Sequence, residues 1–265
     1  DVYHIGPNAM LGSRHNVSHW GCGAKEARIS QAAWNRFLYY LMADERSGDL
    51  MTEVRDADSM LYTLDPMRLA QPRSKFPCTA PARLRIGPDW LAYAGNWMTE
   101  WERTGNIKYR NKILAGMHSI AALPHGLFTG PKVLGYDPAS GIVSYEGDTT
   151  IMNTNHLMTI MGGFEINNEL VELLPDSSWQ KAWTNHAAHY TPMLTILGTT
   201  HFLVPRLTAY AAYYLHNGDL ARQAWNELHK IYHPYADDDY STNDAATWSL
   251  SAIYLKEVLS RLNDK

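Results

Sequence analysis

The chain lacks most of the signatures that fix a function by themselves. No apolar run approaches the roughly 20 residues of a membrane-crossing helix, so no membrane partner is expected. There is no glycine-rich phosphate loop, no CxxC pair and no GxSxG turn, which removes nucleotide hydrolysis, zinc ribbons and ordinary serine hydrolases. Positive charge is scarce: 23 Lys and Arg stand against 27 Asp and Glu, a formal charge of −4. That balance argues against nucleic acid as a partner. Cysteine is nearly absent: Cys22 and Cys78 suit either one disulfide in an exported protein or two buried thiols, and their spacing decides nothing. The chain opens at Asp1 without Met or a signal-like segment, so it reads as a processed or excised piece.

What is present is a beat. Four short polar turns, Ser47-Gly48-Asp49, Thr104-Gly105-Asn106, Pro175-Asp176-Ser177 and Asn217-Gly218-Asp219, each sit between two helix-like stretches. Long irregular segments rich in His, Arg, Asn and Asp separate one pair from the next. The periodicity predicts helices over 24–43, 50–62, 89–104, 107–123, 155–174, 178–190, 205–216, 220–232 and 244–262, with Asn243 capping the last. Gly162-Gly163 then falls inside the fifth helix, where each glycine costs about 1 kcal/mol against Ala and implies close packing. Ile142-Val143-Ser144-Tyr145 reads as one short strand.

In each pair the first helix is more apolar and richer in small residues, as with Ala92, Ala94 and Gly95, or Ala209, Ala211 and Ala212. The second is more charged. That contrast is the mark of an inner ring buried on both sides and an outer ring buried on one. The expected architecture is all-α: a single toroid of helical hairpins over 1–265, an incomplete ring of six or seven. Inner helices would then run parallel and send their positive dipole ends to one mouth, along with the long loops.

Five segments supply that mouth. They are His15-Asn16-Val17-Ser18-His19-Trp20; Arg83, Arg85 and Asp89; Tyr145, Asn153, Asn155 and His156; His201 and Arg206; and Asp237-Asp238-Asp239-Tyr240 with Asn243. Helix N-termini and arginines favour a bound carboxylate. His15 and His19 stand four apart without the HExxH frame of a zinc site, and no metal centre is assigned. The three aspartates suit a solvated turn or a calcium ion. The other histidines fall on outer elements or turns and carry no role. Nine Trp and 16 Tyr add weak support for a sugar ligand.

The run His15 to Gly23 with Lys25-Glu26-Ala27-Arg28-Ile29-Ser30 resembles the start of the C-terminal α/α-toroid domain of exo-acting rhamnogalacturonan lyases. Gly87-Pro88-Asp89-Trp90, Asn153-Thr154-Asn155-His156-Leu157, Val204-Pro205-Arg206-Leu207 and Thr242-Asn243-Asp244-Ala245-Ala246-Thr247-Trp248 are similar to further signatures of that group, so the likeness covers nearly the whole chain. The resemblance implies a secreted or periplasmic polysaccharide lyase. Its substrate would be the pectin backbone of alternating rhamnose and galacturonate, attacked from a chain end. It also implies N-terminal β-domains in the parent chain. β-Elimination needs the uronate carboxylate neutralised, the C5 proton removed and the leaving O4 protonated. Arg206 with Asn153 or Asn155 suits the first demand; His15, His156 or His201 the second; Tyr240 or Tyr145 the third. Trp20 would stack on a sugar, and Asn16, His19, Arg83, Arg85 and Asn243 would line the cleft.

Two other classes remain open at this point. One is a glycoside hydrolase with Asp238 or Asp239 as acid and Glu26 as base. The other is a helical-array binding module without catalysis.

Overall fold

The computed structural model describes residues 29–63, 73–154, 161–196, 205–231 and 242–263. The chain divides into two compact units, Asp1–Trp179 and Gln180–Lys265.

In the first unit, α1 (Gln31–Met42) begins at Ser30, whose Oγ accepts from the Ala33 N–H at 3.1 Å. It pairs with α2 (Glu45–Val54). The turn between them is Ala43-Asp44, not Ser47-Gly48-Asp49 as expected: Ala43 takes the left-handed conformation at φ 52, and Ser47, Gly48 and Asp49 lie inside α2. Gly48 is there for space, because a Cβ would stand 2.7 Å from the Tyr39 ring. The stretch predicted as helix 50–62 is thus split into α2 and a 3-10 turn, Ala57–Tyr62.

The second hairpin follows its expectation closely. α3 (Leu91–Thr104) ends at Gly105 with φ 69, and α4 (Ile107–Ala121) starts at Asn106, whose side chain accepts from Lys108 N–H. Leu91 through Glu100 are all buried, as an inner helix requires. α3 packs on α1, α4 and α5 (Gly163–Leu173). Asn96 of α3 accepts from Ser30 Oγ at 2.8 Å and Ala32 N–H at 3.2 Å, so it fastens the start of α1 to the middle of α3. Gly162 does not lie mid-helix. Its φ of 77 makes it the entry residue of α5, a conformation that glycine adopts without steric cost.

One short strand was expected and three are present among the described residues. β1 (Ala82–Leu84), β2 (Leu134–Tyr136) and β3 (Val143–Ser144) form an antiparallel sheet in that order, pairing Arg83 with Gly135 and Tyr136 with Val143. The partners of the two missed strands lie about fifty residues apart in sequence, and each strand is too short for a periodic signal. A π-type turn, Ile86–Trp90, leads from β1 into α3.

The second unit holds most of α6 (Ser177–Ile196), then α7 (Pro205–Tyr214), α8 (Gly218–Ile231) and α9 (Thr242–Asn263). α7, α8 and α9 pack on one another around Ala209, Ala212, Ala221, Ala224, Leu228, Leu255 and Val258. Four alanines in that core let the helix axes approach closely. Asn243 is the second residue of α9, inside the helix and not ahead of it as its cap. No helix among the described residues is long and apolar enough to cross a membrane.

Candidate functional site

The polar groups of the first unit gather where β1 turns into α3. Arg83 and Arg85 lie two residues apart and are 2% and 5% exposed. The Arg83 guanidinium sits 5.8 Å from the Phe76 ring centre. Arg85 is gripped by Asp89. Its Nε donates to Oδ2 at 2.7 Å, its Nη2 donates to Oδ1 at 2.5 Å, and its own backbone N–H donates to Oδ2 at 2.8 Å. The π-type turn makes this possible, since it brings the carboxylate back over the residue four before it.

The connection from α4 to α5 lies against the same sheet. Thr129 bridges Met152, the Asn153 backbone N–H donates to Phe128 O at 2.9 Å, and the Asn153 amide donates to Gly130 O and Pro131 O at 2.9 and 3.0 Å. Asn153 therefore closes a loop with its side chain. Tyr145 follows β3, half-buried, and its hydroxyl donates to Asp148 O at 2.9 Å. Partial burial, then the Asp148 charge, hold its pKa above the ordinary phenol value, so it stays protonated at neutral pH.

Beneath the sheet lies a network that sequence reasoning missed. Asp58 Oδ2 accepts from Lys112 Nζ at 2.5 Å and from Tyr136 hydroxyl at 2.6 Å, and its Oδ1 has no partner. Asp58 is fully buried and Lys112 nearly so. Lys112 Nζ also lies 4.5 Å from the Trp97 ring centre, a cation–π distance. Burial pushes the Asp58 carboxyl up and the Tyr136 hydroxyl well up, the latter helped by the Asp58 charge. These residues come from a turn, an outer helix and a strand, and no local pattern links them. Their burial marks them as a brace for the site, not part of its surface.

In the second unit Arg206 is the second residue of α7 and half-buried. His186, expected on an outer element without a role, is fully buried and stacks on Trp183 at 5.7 Å and tilts against Tyr190 at 5.6 Å. His15, Asn16, His19, Trp20, Asn155, His156, His201 and Tyr240 lie outside the described residues, as do Glu26, Asp237, Asp238, Asp239 and the side chain of Asn243. Cys78 carries a free thiol. Among the described residues no group of three His, Cys, Asp or Glu is placed to hold a metal ion.

Residues 1–239 match the family described as the PcRGLX-like protein C-terminal alpha/alpha toroid domain. That family is associated with rhamnogalacturonan lyases. The chain is also 42% identical over 240 residues to the uncharacterized protein YetA of Bacillus subtilis (strain 168), a match that takes in 86% of this chain and 27% of YetA. It thus spans about a quarter of that relative's length. Since the family match covers all of the chain but residues 240–265, which hold α9, the protein belongs to the PcRGLX-like C-terminal domains and has their mostly helical toroid fold.

Proposed function

We propose that this domain belongs to an exported polysaccharide lyase that degrades rhamnogalacturonan from a chain end by β-elimination. The observation that carries the reading is the family match over residues 1–239. The parent chain would add N-terminal β-domains beside the toroid. A base takes the C5 proton of galacturonate. The freed electron pair forms the C4–C5 double bond, the C4–O bond breaks, and O4 takes a proton from an acid. In galacturonate the C5 proton and O4 lie on opposite faces of the ring, so base and acid are different residues on opposite walls. His15, His156 or His201 serves as base, because imidazole titrates near neutrality. Tyr145 or Tyr240 serves as acid. Arginine and asparagine side chains neutralise the carboxylate, drawn from Arg206, Asn153, Asn155 and the buried arginines before α3.

The test is to incubate the full-length protein with rhamnogalacturonan and follow ultraviolet absorbance. A rise from the new C4–C5 double bond is expected, with an unsaturated disaccharide as product. New reducing ends without that absorbance would mean hydrolysis, and neither signal would mean a binding module. His15→Asn, His156→Asn and His201→Asn then find the base: one of them is expected to lose more than about tenfold in rate, roughly 1.4 kcal/mol of barrier. Arginines supply the neutralising charge in this scheme, so a chelator is expected to leave the rate within about twofold. A collapse of activity on chelation would instead point to a cation at Asp237-Asp238-Asp239.

A further inference from the structure

Arg85 is built as half of a binding site. A guanidinium presents five N–H donors in a rigid plane. Asp89 occupies one edge of that plane, through Nε and Nη2, and the same carboxylate is tied to the Arg85 backbone. Two anchor points on one residue leave the plane almost no freedom to turn. Among the described residues Arg85 forms its side-chain hydrogen bonds through Nε and Nη2, and none through Nη1. Arg85 is only 5% exposed, so this edge lacks the full hydration of a surface arginine. Leaving charged donors unfilled in such a place is costly unless a ligand or water takes them. The open edge, Nη1 with the second hydrogen of Nη2, has the spacing of a carboxylate, the geometry of a two-pronged pair. Arg85 opens the π-type turn that leads into the 14-residue helix α3.

We infer that Arg85 is the residue that grips the uronate carboxylate, and that Asp89 is its positioning residue. The identity of the acid as a galacturonate rests on the lyase reading; the carboxylate site itself does not. Within the first unit this gives the neutralising role to Arg85 ahead of Asn153, whose amide is already spent on Gly130 O and Pro131 O.

The experiment measures binding of a galacturonate–rhamnose disaccharide and of its methyl ester to the full-length protein by calorimetry. Circular dichroism checks that each variant is folded. The wild type is expected to prefer the acid by at least about tenfold, because the ester cannot accept a two-pronged pair. Arg85→Lys is expected to abolish the preference, since one ammonium cannot serve Asp89 and the ligand edge to edge. Arg85→Gln replaces it if Arg85→Lys does not fold.

Asp89→Asn separates positioning from mere charge balance. It removes a negative charge near the ligand, so a simple charge effect would raise affinity for the acid. Loss of orientation is expected to lower it several-fold, with the ester unchanged. Equal binding of acid and ester by the wild type, or a folded Arg85 variant that keeps the preference, overturns the inference. Tighter binding of the acid by Asp89→Asn overturns the role of Asp89. Ultraviolet product without dependence on Arg85 leaves the lyase reading standing and sinks this inference; an Arg85-dependent acid preference without product does the reverse. No binding of either ligand overturns both.

Discussion

At the scale of single residues the most exacting position is Asp58. A carboxylate with no solvent exposure is tolerated only because Lys112 and Tyr136 both donate to its Oδ2. Its desolvation is only partly repaid, as Oδ1 has no partner. Lys112→Met keeps the volume and the packing on Trp97 but leaves a buried charge alone. The expected cost is about 3–5 kcal/mol, read as a fall in the denaturant midpoint at neutral pH. Adding Asp58→Leu to it is expected to restore most of that loss, because an apolar pair of similar size removes both the charge and its penalty. A double variant no better than the single would show that the cost lies in packing. Such a pair has no local sequence signal: the partners are 54 residues apart, and each falls inside a stretch expected to be helix with nothing to link it to the other. Arg85 and Asp89 were visible as rim residues, yet their pairing depends on the π-type turn between them, which no periodicity announces.

At the scale of elements, the legible features were those with their own local chemistry. Gly105 and Asn106 end and begin helices in the conformations their side chains favour. Asn217 accepts from the Leu220 N–H ahead of α8. Where a glycine served packing, as Gly48 does, the turn was misplaced, and the real turn at Ala43 carries no compositional mark. α1 shows a further limit of pattern reading. Phe37, Tyr40 and Leu41 recur at helical spacing, yet they are 48%, 51% and 77% exposed, and the buried contacts of α1 are made by Ala32 and Ala33.

The start of α6 gives the testable case among the elements. Asp176 accepts from Ser178 hydroxyl at 2.5 Å, from Trp179 N–H at 2.8 Å and from the ring of His118 at 2.8 Å. These bonds, that of Ser178 first, lower its pKa to about 2 from an ordinary 3.8. A depressed carboxylate stabilises the fold fully above its unfolded pKa, and that contribution fades as pH falls through the folded value. The acid limb of the wild-type stability curve is therefore expected to steepen between about pH 4 and pH 2. Asp176→Ala is expected to flatten that limb and to cost about 1 kcal/mol at neutral pH as a lost helix cap. A limb of unchanged slope would assign the acid sensitivity to other carboxylates.

At the scale of the whole molecule the division into two compact units sets how far a disturbance spreads. Each has its own interior. The first centres on α3, with Trp90, Trp97 and Trp179 fully buried. The second centres on the alanine-rich contact of α7, α8 and α9, with Leu228, Leu255 and Val258. Its close helix approach leaves little room to relax around a deletion, so Leu255→Ala is expected to leave a cavity and cost about 2–5 kcal/mol. If the two interiors open separately, hydrogen exchange in this variant should speed up across α7, α8 and α9 while the amides of α3 keep their wild-type protection. A single cooperative unit would lower protection in α3 by the same factor. The distinction bears on function, because Arg85 and Tyr145 belong to the first interior and Arg206 to the second. With separate opening, Leu255→Ala should spare the acid preference proposed for Arg85; joint opening should weaken that preference as well.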